Sequence, residues 1–506
     1  LSNVTTEGRD GSYIRFTDAF PMGNCKINRA SYCYVGNKML EASIAYTHNG
    51  CGCNEYLALK HRHQMQTLAF TMDPDIILQH LNTLIGESRL QAQSFTLLSR
   101  HEVVNSYVGR WKRRYLRAML SLEEYPLCNA DFNINMFVKP DKEDALPKGG
   151  PRAIQYRGAR AALEMARFTQ SIEHQVYELN DDHGTRIFGK GCNQHTLAED
   201  FLKKRDLFRD PAFLMLDASK FDAHVSVEFL EIVRCFYVQL LQLAGQAKYV
   251  SYLWGKTLTS YGYTRHGIKY KTRGTRMSGD MDTGLGNSLI MFAALTHYMY
   301  VTGISKYVMA INGDDSVIFI EKDQLAKARD ISCFVEMGLK MKFEVALDFQ
   351  HMEFCQCRMV ETDYGWTLAR SPHRIITRLG WSVNKFGKSR LKDYILSLGM
   401  GECAVSYGVP IGYAIGLALK LAGRGGKYTV WDRWAQEWCQ QERYWEAEVG
   451  TVSYATRVSY ERAFDISPEK QIELENSIKV RLGCAITDQQ WHHFRELFPE
   501  EPLMGL

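Results

Sequence analysis

Four aspartates at two places carry the first chemical signal. Asp217 follows directly on the apolar run Ala212-Phe-Leu-Met-Leu216, with Asp222 five residues further on, and Asp314 and Asp315 close the turn Asn312-Gly-Asp-Asp315. Carboxylates at a strand end and in a tight turn can converge while their backbones stay rigid. Oxygen ligands of that kind suit Mg²⁺, which takes one or two carboxylates per ion beside water and phosphate. Two such ions a few ångströms apart can activate a hydroxyl and stabilise a leaving pyrophosphate. A lone Asp-Asp beside Asn-Gly would otherwise read as a solvated hairpin tip. The flanking runs are apolar enough to be buried on both faces, and two acids at a buried tip need a cation to offset their repulsion.

Elements able to position these groups are legible around them. Tyr307-Val-Met-Ala-Ile311 and Ser316-Val-Ile-Phe-Ile320 read as two strands joined by an Asn-Gly hairpin. Met281 to Val301 is mostly apolar with no Pro and reads as a buried helix. Before it runs Gly274-Thr-Arg-Met-Ser278-Gly279-Asp-Met-Asp-Thr283-Gly-Leu-Gly-Asn287, in which Thr283 and Asn287 share a helix face. Small residues there allow close approach and the hydroxyls and amide supply donors and acceptors. The plainer alternative is a Gly-rich helix start capped by Ser278. Strand, helix and hairpin in this order imply a mixed α+β core.

Outside this core, Arg110, Lys112, Arg113, Arg114 and Arg117 place five cations in eight residues, interleaved with Trp111 and Tyr115. Lys139, Lys142, Lys148, Arg152 and Arg157 form a second basic stretch. Cys25, Cys33, His48, Cys51, Cys53, His61 and His63 could supply a tetrahedral Zn²⁺ site, but Cys-x-Cys and His-x-His are not the usual finger spacings. Reduced cysteines with surface histidines are the leading reading of this cluster, and a structural Zn²⁺ the alternative. Trp431, Trp434, Trp438 and Trp445 recur at helical spacing, which favours an aromatic core stripe over a base-stacking platform.

Composition bounds the class. The 506 residues carry 61 Lys+Arg against 57 Asp+Glu, a net charge of +4, which excludes an acidic disordered chain and a histone-like polycation. A local basic stripe remains compatible with a nucleic-acid partner. Thirteen cysteines, an odd number, speak against a complete disulfide framework and favour a reducing, cytosolic setting. No signal peptide is visible, and a chain opening on Leu1 reads as a fragment or processed product. The apolar run Val409 to Ala422 carries Lys420 and is shorter than the ~20 residues a membrane span needs, so no span is expected.

In order, these pieces resemble the palm motifs of RNA-dependent RNA polymerases of positive-strand RNA viruses: Asp-x4-Asp, Ser-Gly-x3-Thr-x3-Asn, Gly-Asp-Asp. Phe137-Val-Lys-Pro-Asp-Lys142, Pro151-Arg-Ala-Ile-Gln155, Arg276-Met-Ser-Gly-Asp280, Asn312-Gly-Asp-Asp315 and Glu353-Phe-Cys-Gln-Cys357 are most similar to the tombusvirus-like group. The likeness covers roughly Ser106 to Gly412; Asp282 stands where many of that group carry Asn, and Tyr156 where many carry Pro. It implies catalysis and metal binding by Asp217, Asp314 and Asp315, with Lys342 as general acid and Lys340 as an alternative. Asp222, Asn287, Ser278 and Thr283 would read the ribose 2′-hydroxyl. Lys139, Lys142, Arg152 and Arg157 would clamp the triphosphate. Arg110, Lys112, Arg113, Gly279, Cys355 and Arg358 would contact RNA.

The resemblance also implies a right hand. An N-terminal extension and fingers would span 1–100, fingers 101–206, palm 207–236 and 274–372, a fingers insertion 237–273, and a mostly helical thumb 373–506, which includes Leu398-Gly-Met-Gly-Glu402 and Gly408-Val-Pro410. The palm would be an antiparallel sheet flanked by helices. Implied cofactors and partners are Mg²⁺ (or Mn²⁺), template and product RNA, ribonucleoside triphosphates and other viral replication proteins. The implied location is the host cytoplasm, at membrane-associated replication complexes. A reverse transcriptase, a catalytically inactive RNA-binding scaffold and a metal-dependent phosphohydrolase are the competing readings; an Asp222-type ribose reader and the triphosphate-clamping cations argue against the first and the last.

Overall fold

The apolar runs read from the sequence lie at the centre of a four-stranded antiparallel sheet in the computed structural model, in the order Tyr307–Asn312, Asp315–Glu321, Pro211–Ala218, Met341–Ala346. The structure describes residues 5–7, 11–20, 25–26, 28–30, 32–33, 46–63, 65–141, 150–379, 381–428 and 450–478. Lys142, Lys148 and the Trp431–Trp445 stripe lie outside them. Tyr307–Asn312, Asp315–Glu321 and Pro211–Ala218 are apolar at successive positions because both faces are covered, whereas Met341–Ala346 alternates and exposes Lys342 and Glu344. Leu214, Leu216, Met309, Ile311, Ile318 and Ile320 turn to one core, while Phe213, Val308, Ala310, Val317 and Phe319 turn to another.

The first core is closed by helices Ala159–Tyr177, Val227–Gln239, Ala244–Gly255 and Thr283–Thr302. The last of these is the buried helix expected from Met281 to Val301. Its N-cap is Asp282 and not Ser278, whose hydroxyl is hydrogen-bonded to the Ala153 carbonyl at 3.0 Å. The second core lies under helix Gln194–Asp206 and a three-stranded sheet, Glu353–Phe354, Cys357–Thr362 and Gly365–Arg370.

A six-stranded sheet flanks this centre, in the order Thr5–Glu7, Tyr13–Phe16, Ile268–Arg273, Thr259–Thr264, Ile134–Val138, Ala153–Arg157. All its pairings are antiparallel except that of Ile134–Val138 with Thr259–Thr264. Ile14, Phe16, Ile134, Met136, Ile268 and Tyr270 alternate onto one face and pack with Ala58 and Leu59 of helix Gly52–Arg62. Helices Lys388–Val405, Gly412–Ala422, Tyr454–Phe464 and Pro468–Asn476 contribute to a third, mostly helical core. Among the described residues no helix is long and apolar enough to cross a membrane.

Arg157, expected among the phosphate-clamping cations, is instead an internal tie. Its side chain is 2% exposed, with Nε 2.9 Å from Asp280 Oδ1. It also donates to the Phe132 carbonyl at 2.9 Å and to Ser260 Oγ at 3.1 Å. It thus joins the six-stranded sheet to the segment leading into helix Thr283–Thr302. Arg157→Ala would leave Asp280 buried and unpaired, so unfolding in urea should show a loss of about 3–5 kcal/mol.

Candidate active site

The register of the central sheet brings the aspartates together. Asp217 and Asp315 are direct cross-strand partners, and Asp314 sits in the turn beside Gly313, whose φ of +71° favours glycine. Burial pushes the Asp314 carboxyl up from the usual carboxylate range, with Asp217 and Asp222 adding to the effect. Burial likewise pushes Asp315 up to about 7, helped by Asp314, Asp217 and Glu353. A hard divalent cation suits such a crowded all-oxygen set. Among the described residues, no three His, Cys, Asp or Glu side chains are placed so as to hold a metal ion as they stand. Lys342 takes up part of this set: it pairs across the sheet with Asp217, and its Nζ lies 2.5 Å from Oδ2. That hydrogen bond raises the Lys342 pKa. Lys340 offers its backbone carbonyl to the Ser219 N–H.

Asp217 and Asp314 face a cavity of about 570 Å³ that Asp222, Ser278, Thr283, Asn287 and Lys342 also line. Asp222 Oδ1 accepts from Asn287 Nδ2 at 3.0 Å, and Asn287 Oδ1 accepts from Arg276 Nε at 3.0 Å. Arg276 in turn donates to both Asp282 oxygens at 3.0 Å, and Asp282 also accepts from Trp254 Nε1 at 2.9 Å. Asp222 and Asn287 are therefore held by a buried chain of partners. The Thr283 hydroxyl is bonded to the carbonyls of Met277 and Asp280 at 2.9 Å each, so it and Ser278 brace the loop that borders the cavity.

Lys139 and Arg152 line the same cavity, both tethered to Asp141 at 3.5 and 2.6 Å. Two further cations there were not singled out from the sequence. Arg62 arrives from the end of helix Gly52–Arg62, and Lys190 from the loop before helix Gln194–Asp206. Burial lowers the pKa of both, while Asp314 works in the opposite direction on each. The only sequence hint to Arg62 is the basic run Lys60-His-Arg-His63; nothing local marks Lys190.

The residues expected at RNA are dispersed. Arg110, Lys112 and Arg113 are exposed on helix Gly109–Glu124, away from the cavity lining. Gly279 packs on the neighbouring strand, where an added Cβ would lie 2.6 Å from the Gln155 carbonyl oxygen. Cys355 accepts from Asn312 Nδ2 at 3.3 Å, beside the aspartate turn. Arg358 donates to the Ala463 carbonyl at 2.8 Å and faces Glu353 at 3.5 Å.

The zinc alternative is not supported, because the ligand set is divided. Cys25, Cys51 and Cys53 interact with one another, whereas His63 Nε2 is 2.6 Å from Gln155 Oε1 and is committed to the six-stranded sheet. No metal-holding group stands among the described residues.

Comparison with known proteins agrees with this geometry. The family model described as "Viral RNA dependent RNA polymerase" matches residues 28–481. The RNA-directed RNA polymerase of Oat chlorotic stunt virus (isolate United Kingdom) is 28% identical over 456 residues, covering 85% of this chain and 60% of the relative. That of Tobacco necrosis virus (strain D) is 29% identical over 399 residues, covering 75% and 54%. That of Tomato bushy stunt virus (strain Cherry) is 30% identical over 390 residues, covering 74% and 46%. The chain thus spans about half the length of the curated relatives it matches. With most of its length matched by one family model, the chain belongs to the viral RNA dependent RNA polymerase family.

Proposed function

We propose that this chain performs RNA-directed RNA synthesis for a positive-strand RNA virus, extending an RNA 3′-end with ribonucleoside triphosphates. The observation that carries the reading is the shared cavity: metal-suited carboxylates, a buttressed Asp222–Asn287 pair and several cations face one space. A phosphohydrolase needs no such ribose-facing pair, and a scaffold needs no crowded carboxylates.

In this reading the molecule is a right hand with the boundaries expected from the sequence. The central sheet is the palm, the six-stranded sheet belongs to the fingers, and the C-terminal helices form the thumb. Asp217 and Asp314, with Asp315 beside them, would hold Mg²⁺ or Mn²⁺, which when bound supplies charge for the attacking and leaving oxygens. Lys139, Arg152 and Arg62 neutralise the triphosphate, with Lys142 proposed to join them. The 3′-hydroxyl gives its proton to water as its oxygen bonds to the α-phosphorus, the bond to the bridging oxygen breaks and pyrophosphate leaves. Lys342 holds on Nζ the proton that the leaving oxygen takes up. Asp222 and Asn287 accept and donate at the ribose 2′-hydroxyl, and the template base selects the nucleotide. Work in the host cytoplasm at membrane-associated complexes, beside other viral replication proteins, completes the proposal.

Three outcomes test it. Asp314→Ala should reduce templated incorporation of labelled ribonucleotides by at least about a hundredfold while RNA binding and melting temperature hold; a collapsed melting temperature would make the turn structural. Asp222→Ala should relax discrimination against deoxyribonucleotides by about tenfold, read from the ratio of kcat/KM values. Arg62→Ala should raise the KM for nucleotides by about tenfold with a smaller change in kcat, whereas an unchanged KM would remove it from the phosphate site.

A further inference from the structure

The turn that carries Asp314 and Asp315 is held from outside its own hairpin. Asn312 and Asp315 form the strand pair that closes it, and the Gly313 N–H donates at 3.0 Å to Ser288 Oγ of helix Thr283–Thr302. A second hold comes from strands Glu353–Phe354 and Cys357–Thr362. Pairing of Glu353 with Arg358 and of Phe354 with Cys357 leaves Cys355 and Gln356 as a two-residue turn. Both have positive φ, +52° and +60°, the left-handed backbone that such turns demand and that Asn or Gly normally supplies. Residues of other types stay in that region only where their surroundings over-determine them.

Here the surroundings are specific. Cys355 Sγ accepts from Asn312 Nδ2 at 3.3 Å, and the Cys355 backbone N–H is directed at the Asp315 carboxyl. Behind the turn, the Gln356 carbonyl accepts from the Ser371 N–H at 3.4 Å, and its side-chain oxygen accepts from Arg374. Before it, Phe354 is buried with its ring 5.4 Å from that of Phe201. A Cβ on Gly189 would lie 2.8 Å from the Phe354 ring, and the Gly189 N–H donates to the Ile311 carbonyl at 2.8 Å. The same packing therefore reaches strand Tyr307–Asn312. Asn312 and Cys355 border a second cavity of about 280 Å³, and Asn312 lines the aspartate cavity as well. Burial pushes the Cys355 thiol up, so it stays protonated and serves by hydrogen bonding, not as a nucleophile.

We infer that Cys355 is a positioning residue: by holding both members of the pair that closes the turn, it fixes where Asp314 and Asp315 stand. These carboxylates and Asp217 repel one another, and an outside hold keeps them convergent. Partners one step behind ligating carboxylates typically set metal affinity by about ten- to a hundredfold. This role differs from the RNA contact that the resemblance implies for Cys355, and the two have different signatures. The catalytic consequence rests on the polymerase reading; the contact between the two turns does not.

The test is Mn²⁺ binding to the full chain, read from the electron paramagnetic resonance signal of the free ion, beside steady-state synthesis on a short RNA template. Cys355→Ala should weaken Mn²⁺ binding and lower kcat, each by about tenfold, with RNA affinity and nucleotide KM held within about twofold. Cys355→Ser keeps an acceptor at that place and should retain most of both. Asn312→Ala should reproduce the loss, and the double variant Asn312→Ala with Cys355→Ala should be no worse than either alone. Should the alanine variant melt early, Cys355→Gly, which suits the positive φ but lacks the acceptor, must show the same Mn²⁺ loss at an undiminished melting temperature. Unchanged Mn²⁺ binding in the alanine and glycine variants overturns the positioning role. So do additive losses in the double variant, or weakened RNA binding with Mn²⁺ binding intact. Synthesis by the wild type separates the two readings. Synthesis with Mn²⁺ binding indifferent to Cys355 removes only the positioning role, and Cys355-dependent Mn²⁺ binding without synthesis removes only the polymerase assignment.

Discussion

A fully buried guanidinium holds the centre of this molecule in place. Arg276 is 2% exposed and lies between Asp282 and Asn287, so its charge is neutralised on one side and its geometry transmitted on the other. Burying such a pair is costly, and it persists only where further hydrogen bonds satisfy the remaining groups. Trp254 and Tyr237 do this for Asp282. Gly286 makes room: a Cβ there would lie 2.3 Å from Arg276 Nη2. Because Asp282 is also the residue at which helix Thr283–Thr302 begins, the same contact sets the helix start, the amide of Asn287 and, through it, Asp222. Asp282 supplies the counter-charge for this arrangement.

The carboxylates pose the opposite problem, since their charges repel. Sheet register forces Asp217 and Asp315 to face each other, and the turn adds Asp314 beside them. The chain answers with cations from distant segments: Lys342 on the next strand, Lys190 from a loop and Arg62 from a helix. Lys342 satisfies Asp217 directly. The site therefore sets clustered carboxylates against cations that line the same cavity.

Much of the central architecture was legible because it rests on local pattern. Two strands with both faces buried must be apolar at consecutive positions, and an Asn-Gly turn between them leaves few alternatives to a hairpin. Ser278 and Gly279 are read from residue type alone, and the structure adds that both pack the loop on strand Ala153–Arg157. Arg157 looked like its neighbour Arg152, yet strand alternation sends one inward to Asp280 while the other reaches the cavity. Arg62, despite its basic run, and Lys190 cannot be assigned to the site from local pattern for a related reason: they meet it only through tertiary packing.

Sheet order also bears on how the chain acquires its shape during synthesis. Strand Tyr13–Phe16 can pair early with Thr5–Glu7, but its other edge has to wait for Ile268–Arg273, and Tyr32–Cys33 has to wait for Trp381–Ser382. Such remote pairings incur loop-closure entropy before any contact rewards it, which makes folding slow and leaves edges exposed meanwhile. At about 5–20 residues per second, the ribosome needs many seconds to deliver the later partner. The early-emerging segment that carries Arg62 to the cavity is therefore completed only after most of the polypeptide has emerged.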